Sequence, residues 1–195
     1  DNTASGIYSS VSGGGRNIAS GHASSILGGG QNTASGDVST VSGGEGNTVS
    51  GTAATVSGGY HNIASGDYDS VSGGYGNKAI SGIHITGGYA SISGGEYNTA
   101  IGGVTSIFGG LNNTAMGRFS SIFGGGENKT IGNASSASGG AQNITNGTFS
   151  SAFGGSGSVV QGEDSVGIAG GSTGSGAGNG LAAGYQSVVT ITNGT

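Results

Sequence analysis

The residues able to support catalysis are three histidines and two close acidic pairs. His22, His61 and His84 are the imidazoles of the chain, and the carboxylates closest together in sequence are Asp67–Asp69 and Glu163–Asp164. General acid–base or nucleophilic catalysis needs such a group held beside a nucleophile at one particular place. The histidines fall at unrelated positions, and serine is so frequent that a serine near a histidine carries no information. We predict no catalytic residue and no enzyme.

The acidic pairs are also the candidates for a metal site. Calcium prefers carboxylate oxygens, so one interpretation is a calcium ion at "GDYDS" or "GEDS". The Gly-Gly-x-Gly-x-Asp repeat of calcium-loaded β-rolls is missing, which favours solvated turn carboxylates. The chain has no cysteine, which excludes disulfides and cysteine-based metal sites. We predict neither a metal nor a cofactor.

Charge and hydropathy exclude two classes of partner. The net charge is −5, with only four Lys and Arg in 195 residues, so the chain lacks a phosphate-binding surface and we predict no nucleic-acid partner. No apolar run approaches the roughly 20 residues of a membrane span, so we expect no membrane insertion in this segment.

An internal repeat predicts the elements that carry these side chains. Asn recurs at intervals of fifteen residues, with one longer step of twenty-one that places a six-residue insertion near residues 79–90. The repeated asparagines are Asn2, Asn17, Asn32, Asn47, Asn62, Asn77, Asn98, Asn113, Asn128 and Asn143. Numbered from this Asn, the unit reads N-x-A-S-G-x-x-S-x-V-S-G-G-x-x.

Each unit contains two short strands that end at Gly. The β-branched residues and the Gly at the end of each segment favour strand over helix. A unit this small cannot bury a core alone, but it can when it stacks on copies of itself about 4.8 Å apart. We predict an all-β fold, a β-solenoid with fifteen-residue coils that forms a single domain over residues 1–195. Regular coils cover residues 2–157, degenerate coils cover 158–195, and thirteen coils give a rod about 60 Å long.

The stacking assigns a role to each position of the unit. The third and tenth positions form a thin apolar interior, and the Gly pair supplies positive φ in a turn. The repeated Asn side chains form a ladder of stacked amides. The fourth and eleventh positions point outward.

The outward positions change character after the insertion, from Ser to large apolar residues. A row of exposed apolar side chains marks a surface that another chain covers. The alternative is that the rings turn inward where the interior widens. The predicted interface residues are Ile101, Phe108, Met116, Phe123, Ile131 and Phe153.

The insertion is the candidate binding loop. It contains Ile83, His84 and Tyr89, and Tyr75 and Tyr60 occur shortly before it. We expect it to interrupt the strand ladder as a bulge or hairpin, because insertions in solenoids form loops that often carry binding. Exposed tyrosines suit protein or glycan contacts. The alternative is that they stack along a turn edge as structural cover.

Asn-x-Ser/Thr sequons occur only after residue 110. Asn128 and Asn143 belong to the predicted Asn ladder, where a glycan would interrupt stacking. If the chain is glycosylated, Asn133 and Asn146 are therefore the first candidates.

The repeated units resemble a known family. Asn-Thr-Ala-Ser-Gly, Ser-Thr-Val-Ser-Gly, "EDSVGIAGG" and "NGLAAGYQS" are similar to the Ser-Val-Ala-Ile-Gly-x-x-Ser motif of YadA-like heads of trimeric autotransporter adhesins. The resemblance implies a left-handed parallel β-roll, three of which pack around a common axis with the Ile-equivalent position facing it. The uniform unit of fifteen with a doubled Gly departs from the family, and so does Ser at the trimer face in the first coils, which leaves another surface fibre open.

These observations favour a non-enzymatic extracellular protein, an adhesin head at the cell surface. It would bind host matrix protein, glycan or neighbouring cells through many weak equivalent contacts, as a homo-oligomer. The alternatives are a subunit that assembles end to end into an extracellular fibre and an ice-binding solenoid.

Overall fold

The computed structural model describes residues 1–82, 88–173 and 179–184, together with the backbone of 188–189. All regular secondary structure in these residues is short parallel strand, arranged in two sheets, and no helix occurs in them. The chain is a parallel β-solenoid, as the fifteen-residue period predicts. Each coil contributes one strand to each sheet.

The two sheets contain alternate strands of the chain. Sheet A consists of β1 (Thr3–Ala4), β3 (Ile18–Ala19), β5 (Thr33–Ala34), β7 (Thr48–Val49), β9 (Ile63–Ala64), β11 (Lys78–Ala79), β13 (Thr99–Ala100), β15 (Thr114–Ala115), β17 (Lys129–Thr130), β19 (Ile144–Thr145), β21 (Val159–Val160), β23 (Ser172–Thr173) and β25 (Val188–Val189). Sheet B consists of β2 (Ser10–Val11), β4 (Ser25–Ile26), β6 (Thr40–Val41), β8 (Thr55–Val56), β10 (Ser70–Val71), β12 (Ser91–Ile92), β14 (Ser106–Ile107), β16 (Ser121–Ile122), β18 (Ser136–Ser138), β20 (Ser151–Phe153), β22 (Val166–Ile168) and β24 (Leu181–Ala183).

The register places equivalent residues of successive coils side by side. Ala34 pairs with Val49 in sheet A, and Val41 pairs with Val56 in sheet B. The regularity ends near the C-terminus, where Val160 pairs with Thr173, only thirteen residues later. Asn is also missing there, since Ser158 takes its position in the unit.

The core is a thin layer between the two sheets. The third position of the unit supplies Ala or Val from sheet A, or Thr at Thr130 and Thr145, and the tenth supplies Val, Ile or Ala from sheet B. Their burial confirms the predicted interior, and each coil adds little apolar area. The fully buried aliphatic residues with the largest side chains are Ile26, Ile92, Ile107, Ile122, Val41, Val49, Val56, Val71 and Val160.

Apart from Asn2 in the first coil, which is exposed, the repeated asparagines are buried, and their amides bond chiefly to backbone. The Asn47 Nδ2 group donates to the carbonyls of Gly43 and Gly59, each at 3.0 Å. Its Oδ1 accepts the backbone N–H of Asn62 at 2.9 Å. The predicted amide-to-amide bond occurs between Asn113 Nδ2 and Asn98 Oδ1, at 3.1 Å, but the prediction is wrong for coils such as that of Asn47, where the partners are backbone groups. The Asn47 amide instead bonds to two backbone carbonyls and one backbone N–H. Buried backbone groups need such partners when no strand ladder supplies them.

Two turns connect the strands of each coil. The first turn leads from sheet A to sheet B, as in residues 35–39, and the second leads to the next strand of sheet A, as in residues 42–47. The second Gly of the pair has positive φ as predicted, 83° at Gly44. Non-glycine residues also adopt positive φ in both turns, which the sequence did not indicate, for example Val38 at 57° and His61 at 54°. A backbone bond from Val38 N–H to the His22 carbonyl, at 2.7 Å, holds the first of these.

The insertion falls between β11 (Lys78–Ala79) and β12 (Ser91–Ile92), where other coils have their first turn. Ser70 of β10 pairs with Ser91 of β12, and Ala79 of β11 pairs with Ala100 of β13, so both ladders continue across it. The prediction that it interrupts the ladder is wrong, because the extra residues fall between Ser81 and Ala90, outside the strands.

Candidate functional site

The outward apolar row of sheet B contains a pair of stacked phenylalanines. The Phe108 and Phe123 rings are parallel, with centroids 4.9 Å apart, and their side chains are 55% and 56% exposed. Ser138 interrupts the row in the next coil, and beyond it Phe153 and Ile168 pair directly with each other. The alternative that these rings turn into the interior is therefore wrong, and Ile168 extends the predicted set.

The predicted interface residues occupy two different sheets. Ile101, Met116 and Ile131 each follow a strand of sheet A, whereas the phenylalanines lie on sheet B. Because the inner faces of the sheets pack on each other, the two rows point away from each other. The structure brings Phe108 and Phe123 into contact but does not merge the six residues into one patch. Their role as an interface remains a prediction.

The predicted binding-loop residues are also divided between the two turns. Tyr89 lies in the first turn and stacks on Tyr68, with ring centroids 5.2 Å apart. Tyr60 and Tyr75 lie in the second turn and stack on each other at 5.4 Å. Ile83 and His84 lie outside the described residues.

Two further rings join the tyrosine pair of the second turn. Tyr97 meets Tyr75 edge-on at 5.0 Å, and His61 meets Tyr60 edge-on at 4.2 Å. Tyr60, Tyr75 and Tyr97 are 40%, 38% and 48% exposed. We name these four residues the tyrosine patch. His61 was not among the predicted binding residues, although it directly follows Tyr60.

Glycines in the preceding coils leave room for two rings of the tyrosine patch. A Cβ atom added to Gly46 would lie 2.6 Å from the His61 ring, and one added to Gly76 would lie 2.8 Å from the Tyr97 ring. These rings therefore lie directly over glycine backbone. Gly and aromatic residue alternate along this position of the unit as Gly46, His61, Gly76 and Tyr97.

Electrostatic contacts within the patch act on Tyr97. A side-chain hydrogen bond with Tyr75 raises the pKa of Tyr97 above its ordinary value of 10.0, and desolvation and the negative charge of Glu96 add to the effect. The phenol is neutral at physiological pH. Tyr97 thus presents an uncharged ring.

Asp69 closes the insertion at its base. Its Oδ2 atom accepts the backbone N–H of Ser81 at 2.9 Å, and its Oδ1 atom accepts the N–H of Ala90 at 2.9 Å and the Ser81 hydroxyl. Oδ2 also accepts the N–H of Gly66 at 2.8 Å, and the side chain is 1% exposed. The expectation of a solvated carboxylate is therefore wrong for Asp69. Up to residue 165 the other coils carry Ser, Thr or Ala at the position of Asp69. The single Asp at this position was therefore visible in the sequence as an exception.

The neighbouring carboxylate at Asp67 has a different role. Asp67 is exposed, and its Oδ1 accepts the backbone N–H of Thr52 in the preceding coil at 3.0 Å. Asp37 accepts the N–H of His22 in the same way at 3.2 Å. Within the described residues no group of three His, Cys, Asp or Glu side chains could hold a metal ion. Glu163 and Asp164 are exposed at the corresponding turn.

The sequons differ in accessibility. Asn128 and Asn143 are buried in the Asn ladder, as expected, and their amides bond to glycine carbonyls. Asn133 and Asn146 are exposed, and Asn133 Oδ1 accepts the backbone N–H of Arg118 at 3.2 Å. Glycosylation of these two remains a prediction.

No protein-family model matches the chain, and no curated protein is significantly similar to it. A search of the described residues for helices finds none that is long and apolar enough to span a bilayer.

Proposed function

We propose that the chain is a non-enzymatic adhesive protein of the cell surface, comparable to the head of a trimeric autotransporter adhesin. The supporting observation is the row of exposed apolar side chains on sheet B, in which Phe108 and Phe123 stack one coil apart. A solenoid repeats equivalent side chains at one spacing, so many weak contacts add along its length. The expected partners are matrix proteins, glycans or neighbouring cells. A left-handed roll, three copies of which form a trimer, is part of this proposal, as the resemblance implies.

The mass of the full chain in solution tests the oligomer. Light scattering after gel filtration should give three times the 18.2 kDa of one chain. A polymer of open-ended mass would support the alternative, an extracellular fibre, because a solenoid end exposes unpaired backbone groups. Adhesion is tested separately by binding of fluorescent protein to arrays of matrix proteins and glycans. The absence of binding to every array would reject the adhesive function.

A second candidate, ice binding, is favoured by the hydroxyl rows on the outer face of sheet B. Thr40 and Ser42 flank the inward Val41, and Thr55 and Ser57 repeat this arrangement in the next coil. Regularly spaced hydroxyls hold ordered water by hydrogen bonds. Ice-binding solenoids are expected to carry flat Thr-x-Thr rows, and Ser predominates over Thr in these rows. Adhesion is therefore the preferred function. Measurement of thermal hysteresis tests this candidate, and a value equal to that of bovine albumin would reject it.

A further inference from the structure

The tyrosine patch has a carboxylate on each side. Glu45, Tyr60, Tyr75 and Glu96 follow one another in a single parallel bridge ladder of the second turn. Glu45 therefore lies one coil before the tyrosine pair and Glu96 one coil after it. Both carboxylate side chains are exposed.

We propose that the tyrosine patch and its two flanking glutamates bind an extended, basic peptide segment of a partner protein. The inference rests on the proposed adhesive function for the existence of a partner, and it names the chemistry of one contact. The carboxylates pair with Lys and Arg cations, and tyrosine hydroxyl oxygens accept hydrogen bonds from the same groups.

Charge around the patch supports a cationic ligand. Between Arg16 and Arg118 the chain has one basic residue, Lys78, and five acidic ones. Glu45 accepts a hydrogen bond from the neutral Gln31 side chain at 3.3 Å, which leaves its charge in place. An anionic ligand would be repelled, and a neutral sugar would gain no charge pairing from the two glutamates.

The spacing of the ladder predicts the pattern of the peptide. Glu45 and Glu96 are three coils apart, about 14 Å at the spacing of neighbouring strands. An extended peptide advances about 3.4 Å per residue, so its residues i and i+4 span the same distance. Residue i+2 points to the same side and lies over the tyrosine pair. The predicted ligand therefore carries basic residues at i, i+2 and i+4.

The test titrates the full chain with a synthetic peptide, Gly-Thr-Arg-Thr-Arg-Thr-Arg-Thr-Gly, by calorimetry at low and physiological salt. Two double variants alter the site, Tyr60→Ser with Tyr75→Ser and Glu45→Gln with Glu96→Gln. The matched control, Tyr68→Ser with Glu163→Gln, removes an equally exposed stacked tyrosine and an exposed glutamate elsewhere. Circular dichroism and melting verify that each variant is folded.

We expect saturable binding that salt weakens, at least tenfold weaker affinity in either site variant, and unchanged affinity in the control. Equal affinity of the site variants and the unaltered chain would overturn the proposal. So would equal affinity for a peptide with three contiguous arginines. Binding of a neutral glucose oligosaccharide that requires the tyrosines but not the glutamates would identify a glycan surface and also overturn it. The titration needs neither a trimer nor a cell surface, so its failure is distinct from failure of the adhesive function.

Discussion

Asn47 donates its backbone N–H to the side-chain oxygen of Asn32 at 3.0 Å, and the same contact recurs in the neighbouring coils. The contact joins residues fifteen apart through a side chain, in addition to the strand ladders. It places an amide among the buried residues of each coil, next to the small apolar side chains and to buried hydroxyls such as that of Ser39. The fold is stable with this burial because the amide hydrogen-bonds through both its oxygen and its nitrogen.

Replacing Asn47 with Ala tests this bridge. The change leaves the Gly43 carbonyl and the N–H of Asn62 without a partner, whereas the Gly59 carbonyl keeps the backbone N–H of Glu45. Because buried unpaired groups cost about 1–3 kcal/mol each, we expect these two groups to lower the free energy of unfolding by at least about 2 kcal/mol. Urea denaturation measures it. The control, Asn146→Ala, alters an exposed side chain and should change stability by less than about 0.5 kcal/mol; equal losses would contradict the interpretation.

Gly36 and Gly43 provide a matched pair for the close approach of coils. A Cβ atom at Gly36 would lie 2.7 Å from the Ser50 carbonyl oxygen, whereas one at Gly43 would meet nothing within 4 Å. We expect Gly36→Ala to destabilise by about 3 kcal/mol or more through overpacking. Gly43→Ala should be neutral or stabilise by about 0.4–1 kcal/mol, since it restricts the unfolded chain. Thermal melting compares them, and equal effects would show that the coil spacing accommodates a methyl group.

The period of the sequence was sufficient to predict the pairing and the interior. Residues fifteen apart pair in both sheets, and Ala34 and Val41 lie inside as their positions in the unit require. Hydrogen-bond partners were not predictable in the same way. Asp69 and Asp67 have the same chemistry and are two residues apart, yet one is buried and the other exposed. The difference depends on which backbone groups face each carboxylate after folding.

The sequence also gave no indication that His61 and Tyr97 would lie over glycines. This arrangement depends on the positive φ of their own backbone, 54° and 53°, which residue type does not reveal. Repetition predicts which residues are neighbours between coils. It does not predict the direction that an exposed side chain takes. The candidate site was therefore found only in part.

Removal of the Asp69 carboxylate should loosen the base of the insertion. In Asp69→Ala, the N–H groups of Ser81 and Ala90 lose their acceptors. We expect a loss of about 2–3 kcal/mol, since hydrogen bonds to a charged group are stronger than neutral ones. Amide hydrogen exchange should accelerate at Ser81 and Ala90, and less at Asn32. Asp67→Ala is the control, because its exposed carboxylate accepts the N–H of Thr52 in the preceding coil and not that of Ser81 or Ala90. Unchanged amide exchange at Ser81 would contradict the role of Asp69 in holding the base of the insertion.

Replacement of both stacked phenylalanines tests the outward row. Phe108→Ser with Phe123→Ser introduces the residue that the first coils carry at this position, such as Ser42. Because both rings are more than half exposed, the melting temperature should change little while self-association weakens at least tenfold. Sedimentation equilibrium measures the association. The control Phe149→Ser, which removes an exposed ring in the first turn, should leave self-association unchanged. Loss of the fold in the double variant would place the rings in the interior after all.

Alkaline titration tests the contacts of Tyr97. Its pKa is raised in the folded chain, first by the hydrogen bond with Tyr75, whereas the unfolded chain titrates at about 10.0. The folded state therefore holds this proton more tightly, and the corresponding stability is complete below pH 10.0 and decreases as the pH rises through the folded value. Tyr97→Phe should flatten the alkaline decline in the free energy of unfolding.

The decisive comparison is Tyr75→Phe, which keeps the ring but removes the hydroxyl. The loss of that hydrogen bond should lower the pKa of Tyr97 toward 10.0, while the charge of Glu96 still opposes ionisation. Ultraviolet titration of tyrosine absorbance, with Tyr97→Phe as the reference that assigns the signal, measures the shift. If Tyr97 titrates identically with and without the Tyr75 hydroxyl, the two side chains do not share a hydrogen bond, and burial and charge alone must raise the pKa.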